Sequence, residues 1–474
     1  MRLLEVRSAS VAGIAAAMML GAAATTVVAQ QDYAPGVLPG VKHAGSGNIH
    51  VLGHIPLGGF FRVMDNEMEQ ELSRPYVYVA QSRDRQGFSI IDIKDVEHPK
   101  KIYSWVIDNP ELHGGTGGMD GKYFKIKSKT GGAKYYYVQS LQFGGSGPDA
   151  DLGAVVADVT GLPDTSKVKI VARIKHPESP GGFHNMFAYK HSDGRVLLFA
   201  TATHPYALVY DMEKVLANPT DASKALIGQV PIPENESTRL GNSGYHDFQV
   251  FYDSKTRQDK FYGAGRGGYF LYDVSKPETP KLITSIVGAS GITGGHTFTP
   301  VPNQDVVVTE AEYQFAPLRL FDLTPGITGK AQTVNRPIGA WTADWHDLSH
   351  NHEVKWPFVF VSGYEDGLQV FNLVDPKNPQ TVGWYYTCEC KHEGGFGGVP
   401  AWEGNSVMQG AFGIKVRDAD GLITISDSNT GFWLFKMDGF TSWKGEDWGM
   451  PNVSSSQDWD RGPVVATGGA KLVP

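Results

Sequence analysis

Imidazole is the side chain this sequence spends most pointedly. Of fifteen histidines, four head the same kind of segment: His184 in Gly-Gly-Phe-His-Asn-Met, His246 in Gly-Tyr-His-Asp-Phe, His296 in Gly-Gly-His-Thr-Phe and His352 in Asn-His-Glu-Val. Neutral imidazole is the commonest ligand for zinc, copper, iron or nickel, and three or four suffice for a site. His184, His246, His296 and His352 are therefore the candidate metal ligands, with His346 and His350 as possible outer partners. Glu310 and Glu312, in Thr-Glu-Ala-Glu-Tyr, are candidate carboxylates to orient a ligand or act as general base. The same histidines have a purely structural reading. His246-Asp247, His346-Asp347 and His352-Glu353 fit a repeated dipeptide whose imidazole ties neighbouring strands together, and a residue encoded by a repeat recurs whatever its use.

The two cysteines form the other local feature, Cys388-Glu-Cys390, with His392 after them. In an oxidising compartment the pair reads as a disulfide. A soft-metal clasp for copper or zinc and a redox pair are the alternatives. Other chemistry lacks its context. The runs at Gly114–Gly118 and Gly144–Pro148 precede no helical pattern, so no phosphate-binding loop is expected, and there is neither a Gly-x-Ser-x-Gly elbow nor a His-Glu-x-x-His helix. No catalytic residue is assigned.

The elements that must position these side chains repeat. A hydrophobic run, a turn, and a second run recur seven times, the second run ending in aromatic or aliphatic-Asp-aliphatic in five copies and with Asn or Lys in place of Asp in two, often followed by Pro-Lys and a third run. The clearest copy is Tyr76–Ala80, Gly87–Ile93 and His98–Val106; the second-run markers are Asp92, Asp158, Asp211, Asp273, Asp322, Asn372 and Lys436. Successive markers lie about 50–65 residues apart; several steps exceed the length of a minimal four-stranded blade, about 40–50 residues, the excess sitting in Gly/Pro-rich or polar loops. Alternation with β-branched and aromatic enrichment predicts strands, with a short helix only at Met212–Ala217. A fourth, innermost strand precedes each triplet, Phe248–Phe251 being one. The expected fold is all-β, a seven-bladed propeller whose blades cannot bury both faces without neighbours. The seventh copy lacks an outer strand, and Ile49–Pro56 resembles one, so the N-terminal strand is expected to complete the last blade and remove an open edge.

Residues 1–29 have the layout of a secretory signal peptide: Arg2 and Arg7, an Ala-rich apolar run from Val11 to Val28, and small residues at Val27-Val28-Ala29. An uncleaved anchor is the alternative; no second apolar run follows, so no transmembrane segment is expected after cleavage. The expected division is signal peptide 1–29, N-terminal arm 30–47, propeller 48–440 and C-terminal tail 441–474. Export places the protein in the periplasm or outside the cell.

With the copies laid out, Gly367–Pro379, Gly87–Pro99 and Tyr269–Pro280 match almost position by position the repeat of the LVIVD-repeat propellers, which the chain resembles over nearly all of its mature length. The resemblance implies a propeller fold and a secreted habit but little chemistry. More distantly the chain is similar to the selenium-binding protein/methanethiol oxidase propellers, which are histidine-containing and linked to copper; that family's cysteine-rich N-terminal motif is not present here.

Composition bounds the function. Among 474 residues, 41% are hydrophobic and 11% aromatic, with 57 glycines and 28 prolines; this is ample material for a turn-rich core and excludes bulk disorder. A formal net charge of −8 argues against a nucleic-acid-binding surface. Two functions from different classes are expected: a module binding a protein or small-molecule ligand at a histidine-lined channel, or an oxidoreductase dependent on copper or iron held by the channel histidines. A module of the first kind needs no cofactor.

Overall fold

The computed structural model describes residues 45–445, apart from 59–60, 84–85, 128–130, 145–146, 177, 179, 235–243, 303, 346 and 389–407. The segments read as signal peptide (1–29) and N-terminal arm up to residue 44, and the tail from residue 446 onward, lie outside the described residues, as do His346 and Cys390.

Seven small antiparallel sheets form the body. Blade 1 comprises Val63–Met68, Tyr76–Gln81, Gly87–Asp92 and Lys100–Val106, and blade 2 comprises Gly117–Lys127, Ala133–Gln142, Leu152–Asp158 and Lys169–Lys175. Blade 3 holds Met186–Lys190, Val196–Thr201, Tyr206–Asp211 and Leu226–Pro231; blade 4 holds Tyr245–Asp253, Gln258–Gly265, Gly268–Asp273 and Lys281–Val287. Blade 5 is Thr297–Pro300, Val306–Glu310, Leu318–Asp322 and Gly339–Trp341, and blade 6 is Asn351–Lys355, Phe358–Ser362, Leu368–Asn372 and Gln380–Tyr385. Blade 7 has Ala411–Val416, Ile423–Asp427 and Gly431–Met437 inside, and Ile49–Ile55 as its outer strand. The expected closure is therefore what the chain does: Ile49 pairs with Met437 and Ile55 with Phe432.

The aspartate or asparagine that marks six of the seven copies has a local cause. It ends the third strand, and its side-chain oxygen accepts the backbone N–H two residues on: Asp92 from Lys94, Asp158 from Thr160, Asp211 from Glu213, Asp273 from Ser275, Asp322 from Thr324 and Asn372 from Val374, at 2.7–3.1 Å. Such an Asx turn stops the strand and starts the reversal into the outer one. At Asp211 the same oxygen also caps the helix Met212–Ala217 through Lys214 N–H.

One departure from four strands per blade occurs. The insertion between the third and outer strands of blade 5 contributes Thr333–Val334, which pairs in parallel with the outer strand of blade 4. It extends that edge where a free row of N–H and C=O groups would stand exposed.

Packing is between blades. Apolar clusters fill all seven interfaces. Phe124, Val138 and Ala154 meet Met186 and Leu198 between blades 2 and 3; Leu422, Phe432 and Leu434 meet Val77, Val79 and Ile91 between blades 7 and 1. The last pair closes the ring by burial as well as by pairing. Trp341 of blade 5 stacks on Phe371 of blade 6, centroids 4.5 Å apart.

Candidate functional site

The innermost strands converge on the hub, and their entry residues follow a common pattern. In blades 1, 2, 4 and 7 the register shifts by a bulge there, between Val63 and Asn66, Gly118 and Gly121, Tyr245 and Asp247, and Ala411 and Gly413. A bulge re-aims the extra side chain away from the ladder. The register thereby places Met64, Met119, His184, His246, His296, His350 and Phe412 at one hub position, one from each blade. The residue after it is Asp65, Asp120, Asn185, Asp247, Thr297, Asn351 or Gly413.

The hub is thus divided. On blades 7, 1 and 2, Phe412, Met64 and Met119 join Phe61, Leu348 and Tyr364 in an apolar plug. On blades 3 to 6, four imidazoles stand in a row. Ring centroids are 4.4 Å apart for His184 and His246, 4.2 Å for His246 and His296, and 4.8 Å for His296 and His350. His184, His246 and His296 of the row line an open cavity of about 1340 Å³ between blades 2 and 5.

Three of the candidate ligands, His184, His246 and His296, are brought together. The fourth member of the row is His350, expected only as an outer partner. His352 lies two residues deeper along the strand, where its Nδ1 is 3.0 Å from Glu310 Oε2. The sequence signal for His350 is the following Asn351, which matches His184-Asn185.

Hydrogen bonds fix the tautomers. The Nδ1–H of His350 donates to the Phe412 carbonyl at 2.7 Å. Nδ1 of His184 meets Gln142 Oε1 at 3.0 Å, an oxygen that also accepts from Thr116 Oγ1. For His296 the direction is set by a relay. Asn351 Nδ2 donates to Asp65 Oδ2 (3.3 Å), so Asn351 Oδ1 accepts from Thr297 Oγ1 (3.2 Å), and that hydroxyl accepts from His296 Nδ1 at 2.9 Å. All three rings are held at Nδ1, which leaves Nε2 as the lone-pair nitrogen. This is the outer-partner arrangement that orients metal-ligating histidines.

Glu312 supplies the carboxylate. Its Oε2 lies 3.5 Å from His296 Nε2 and 3.9 Å from His246 Nε2, and its Oε1 accepts from the Tyr364 hydroxyl. The donor atoms of His246, His296 and Glu312 all lie within 4.8 Å of one another. Neither His296 Nε2 nor His246 Nδ1 has a hydrogen-bond partner though both are buried. Glu310 is different in kind. It faces Thr297 across the ladder, at the position where Ser140, Thr201, Ser362 and Ser426 bond the inner-strand N–H of blades 2, 3, 6 and 7. A carboxylate in place of that hydroxyl reaches His352, and its Oε1 is left buried without a partner.

Burial makes the row neutral. Desolvation pushes His184 down to about 4 and His350 to about 3. His246 and His296 go well below the ordinary range, by burial and then by mutual repulsion among the imidazoles. Burial raises Glu312 to about 7 and Glu310 well above a normal carboxyl. Below the row the hub is charged: Lys122 pairs with Asp120, and Lys415 lies 3.6 Å from Glu67 and 3.3 Å from Glu353.

The glycines before the histidines serve packing. A side chain at Gly182, whose φ is +78°, would overlap the Leu141 carbonyl, and one at Gly295 would meet the Tyr269 ring. Cys388 is buried and disulfide-bonded, and Cys390, the only other cysteine of the chain, lies outside the described residues. Among the described residues no helix is long and apolar enough to cross a membrane.

The chain matches no protein-family model and no curated protein. Among solved structures, Raptor of Chaetomium thermophilum is similar, with a TM-score of 0.51 and 11% identity, over 82% of this chain and 30% of that one. This chain thus spans under a third of the length of that protein, and the likeness concerns fold alone. Strand order, closure and this likeness agree that the chain is an all-β, seven-bladed propeller.

Proposed function

We propose that this propeller, a binding module by architecture, holds a transition-metal ion of the copper, iron or zinc class at its hub and offers it to a small-molecule ligand entering the open cavity. The observation that carries this reading is the convergence of His246, His296 and Glu312 donor atoms within 4.8 Å beside buried nitrogens that have no hydrogen-bond partner. Burying His296 Nε2 unpaired costs on the order of 1–3 kcal/mol, and an ion bound there removes that cost. The residue types fit: neutral imidazole and carboxylate suit these ions, and the rings are neutral without any proton having to leave. His184 and His350, with Nε2 bare, flank the trio. When bound, the ion supplies Lewis acidity or one-electron chemistry, the latter being the oxidoreductase reading. The chain's own part is to orient His296 through Thr297, orient His350 through Phe412, and shield the ion on one side with the apolar plug.

A second reading, a ligand-binding hub without metal, is favoured by the recurrence of a polar residue after each histidine, since a repeat can carry a histidine for strand pairing. In either case we propose an exported protein of LVIVD type. The disulfide at Cys388 supports an oxidising compartment, and the hairpins ending at Asp92, Asp273 and Asn372 support the repeat.

Metal analysis of untagged protein separates the readings. About one ion per chain, lost in the H246A/H296A double variant with little change in melting temperature, supports the metal site. Metal well below stoichiometry after loading with copper, iron or zinc removes it.

A further inference from the structure

Arg266 lines the cavity above the imidazole row and has no acidic partner among the described residues. Arg266 occupies the turn between the second and third strands of blade 4, Gln258–Gly265 and Gly268–Asp273. Its backbone bridges to Gly294 of the neighbouring blade and donates to the Gly244 carbonyl. The turn itself is fixed, because at Gly268, with φ +142°, any side chain would overlap the Ile286 carbonyl. Arg266 therefore stands on a rigid support, and its side chain lines the cavity with His184, His246, His296 and Glu312. No acidic residue pairs with its guanidinium among the described residues, and its Nε is buried without a hydrogen-bond partner. Glu312 does not serve: its oxygens face Tyr364, His246 and His296. A guanidinium nitrogen withdrawn from water and left unpaired is costly unless something brings an acceptor to it.

We propose that Arg266 is the specificity-determining anchor for a carboxylate on the ligand of this cavity. The planar fork of arginine matches a carboxylate bidentately, and a single cation suits a single negative charge. Among the described residues lining the cavity, Arg266 is the only arginine or lysine. Tyr245, Ala202 and Ile292 on the same wall offer contact to an apolar body behind the charged group. The inference rests on the cavity being the ligand site, as proposed above, and not on the presence of an ion.

The test uses benzoate and its neutral analogue benzamide as probes, with binding followed by calorimetry on chelator-treated and on metal-loaded full-length protein. A charge-assisted pair should favour benzoate over benzamide by about tenfold or more, in chelated protein as well as loaded. R266Q should bring the two probes within about twofold of each other, and R266K, which keeps the charge and loses the fork, should retain part of the preference. Circular dichroism melts verify that both variants fold. Equal binding of the two probes by the native protein, no detectable benzoate binding, or a benzoate preference undiminished in R266Q would overturn the inference. Stoichiometric metal without a benzoate preference would overturn it while leaving the metal reading intact; a benzoate preference in protein that takes up no metal would do the reverse.

Discussion

His246 and His296, from adjacent blades, hold their imidazole centroids 4.2 Å apart, with Glu312 Oε2 within 4 Å of an Nε2 on each ring. The His296 ring is buried and the His246 ring is a third exposed; both face one carboxylate, and the relay through Thr297 and Asn351 determines which lone pair His296 presents. The expected 15N spectrum has His296 protonated at Nδ1 and bare at Nε2. In T297V the acceptor for Nδ1–H is gone, and affinity for the loaded ion should fall by about 10–100-fold, the usual cost of removing an outer partner, with the fold retained. Unchanged affinity in T297V would dissociate the relay from the site.

Glu310 and His352 couple through one buried hydrogen bond of 3.0 Å. Both side chains are essentially inaccessible, so each single truncation leaves the other's polar group stranded. E310A and H352A should each destabilise by about 1–3 kcal/mol. The double variant should lose less than the sum, with a coupling of about 1 kcal/mol or more in denaturant unfolding. Strict additivity would mean the pair does not interact in solution.

Asp65 gives the pH dependence a sign. Burial and then the Asp120 carboxylate raise its folded pKa to about 7, against an ordinary 3.8. Between those values the native state holds a proton that the unfolded chain has released. The stability contribution is therefore full below about pH 4 and is lost as pH rises through 7. D65N removes this loss. Relative to wild type, D65N should gain about 2–3 kcal/mol on going from pH 5 to pH 8, read from unfolding midpoints at the two pH values. A wild-type-to-D65N difference that is flat with pH would contradict the assignment.

Ring closure rests on Ile49–Ile55 lying against Gly431–Met437. Removing residues up to 56 strips that strand and exposes an edge of the last blade. Such a truncation should unfold less cooperatively and aggregate, whereas one beginning at residue 45 should match the full chain in light scattering and melting. Equal behaviour of the two would show that the strand is dispensable.

The architecture was legible because its signals are local. An aspartate, or in blade 6 an asparagine, that ends the third strand by bonding the backbone recurs in six blades, and the copy without an outer strand pointed to the chain start. The short helix at Met212–Ala217 was visible for the same reason, being capped by the repeat's own Asp211. The site was legible only in part. That inner-strand histidines gather at the hub follows from the fold, and His184, His246 and His296 do gather. Choosing between His350 and His352 required the register, since both lie on one face of a strand whose side chains alternate with period two. The roles of Glu310, Thr297 and Asn351 depend on contacts between blades about 40–60 residues apart, for which spacing within a single copy carries no signal. Arg266 was missed because nothing in the sequence distinguishes an arginine that has an acidic neighbour from one that lacks it.

The most direct test of the hub as a metal centre is anomalous diffraction from crystals of untagged protein loaded with copper, iron or zinc, collected at the absorption edge of the ion. One dominant peak is expected within bonding distance of His296 Nε2, His246 and a Glu312 oxygen. A map without a peak there, or with its strongest peak at a surface histidine such as His50 or His98, would contradict it.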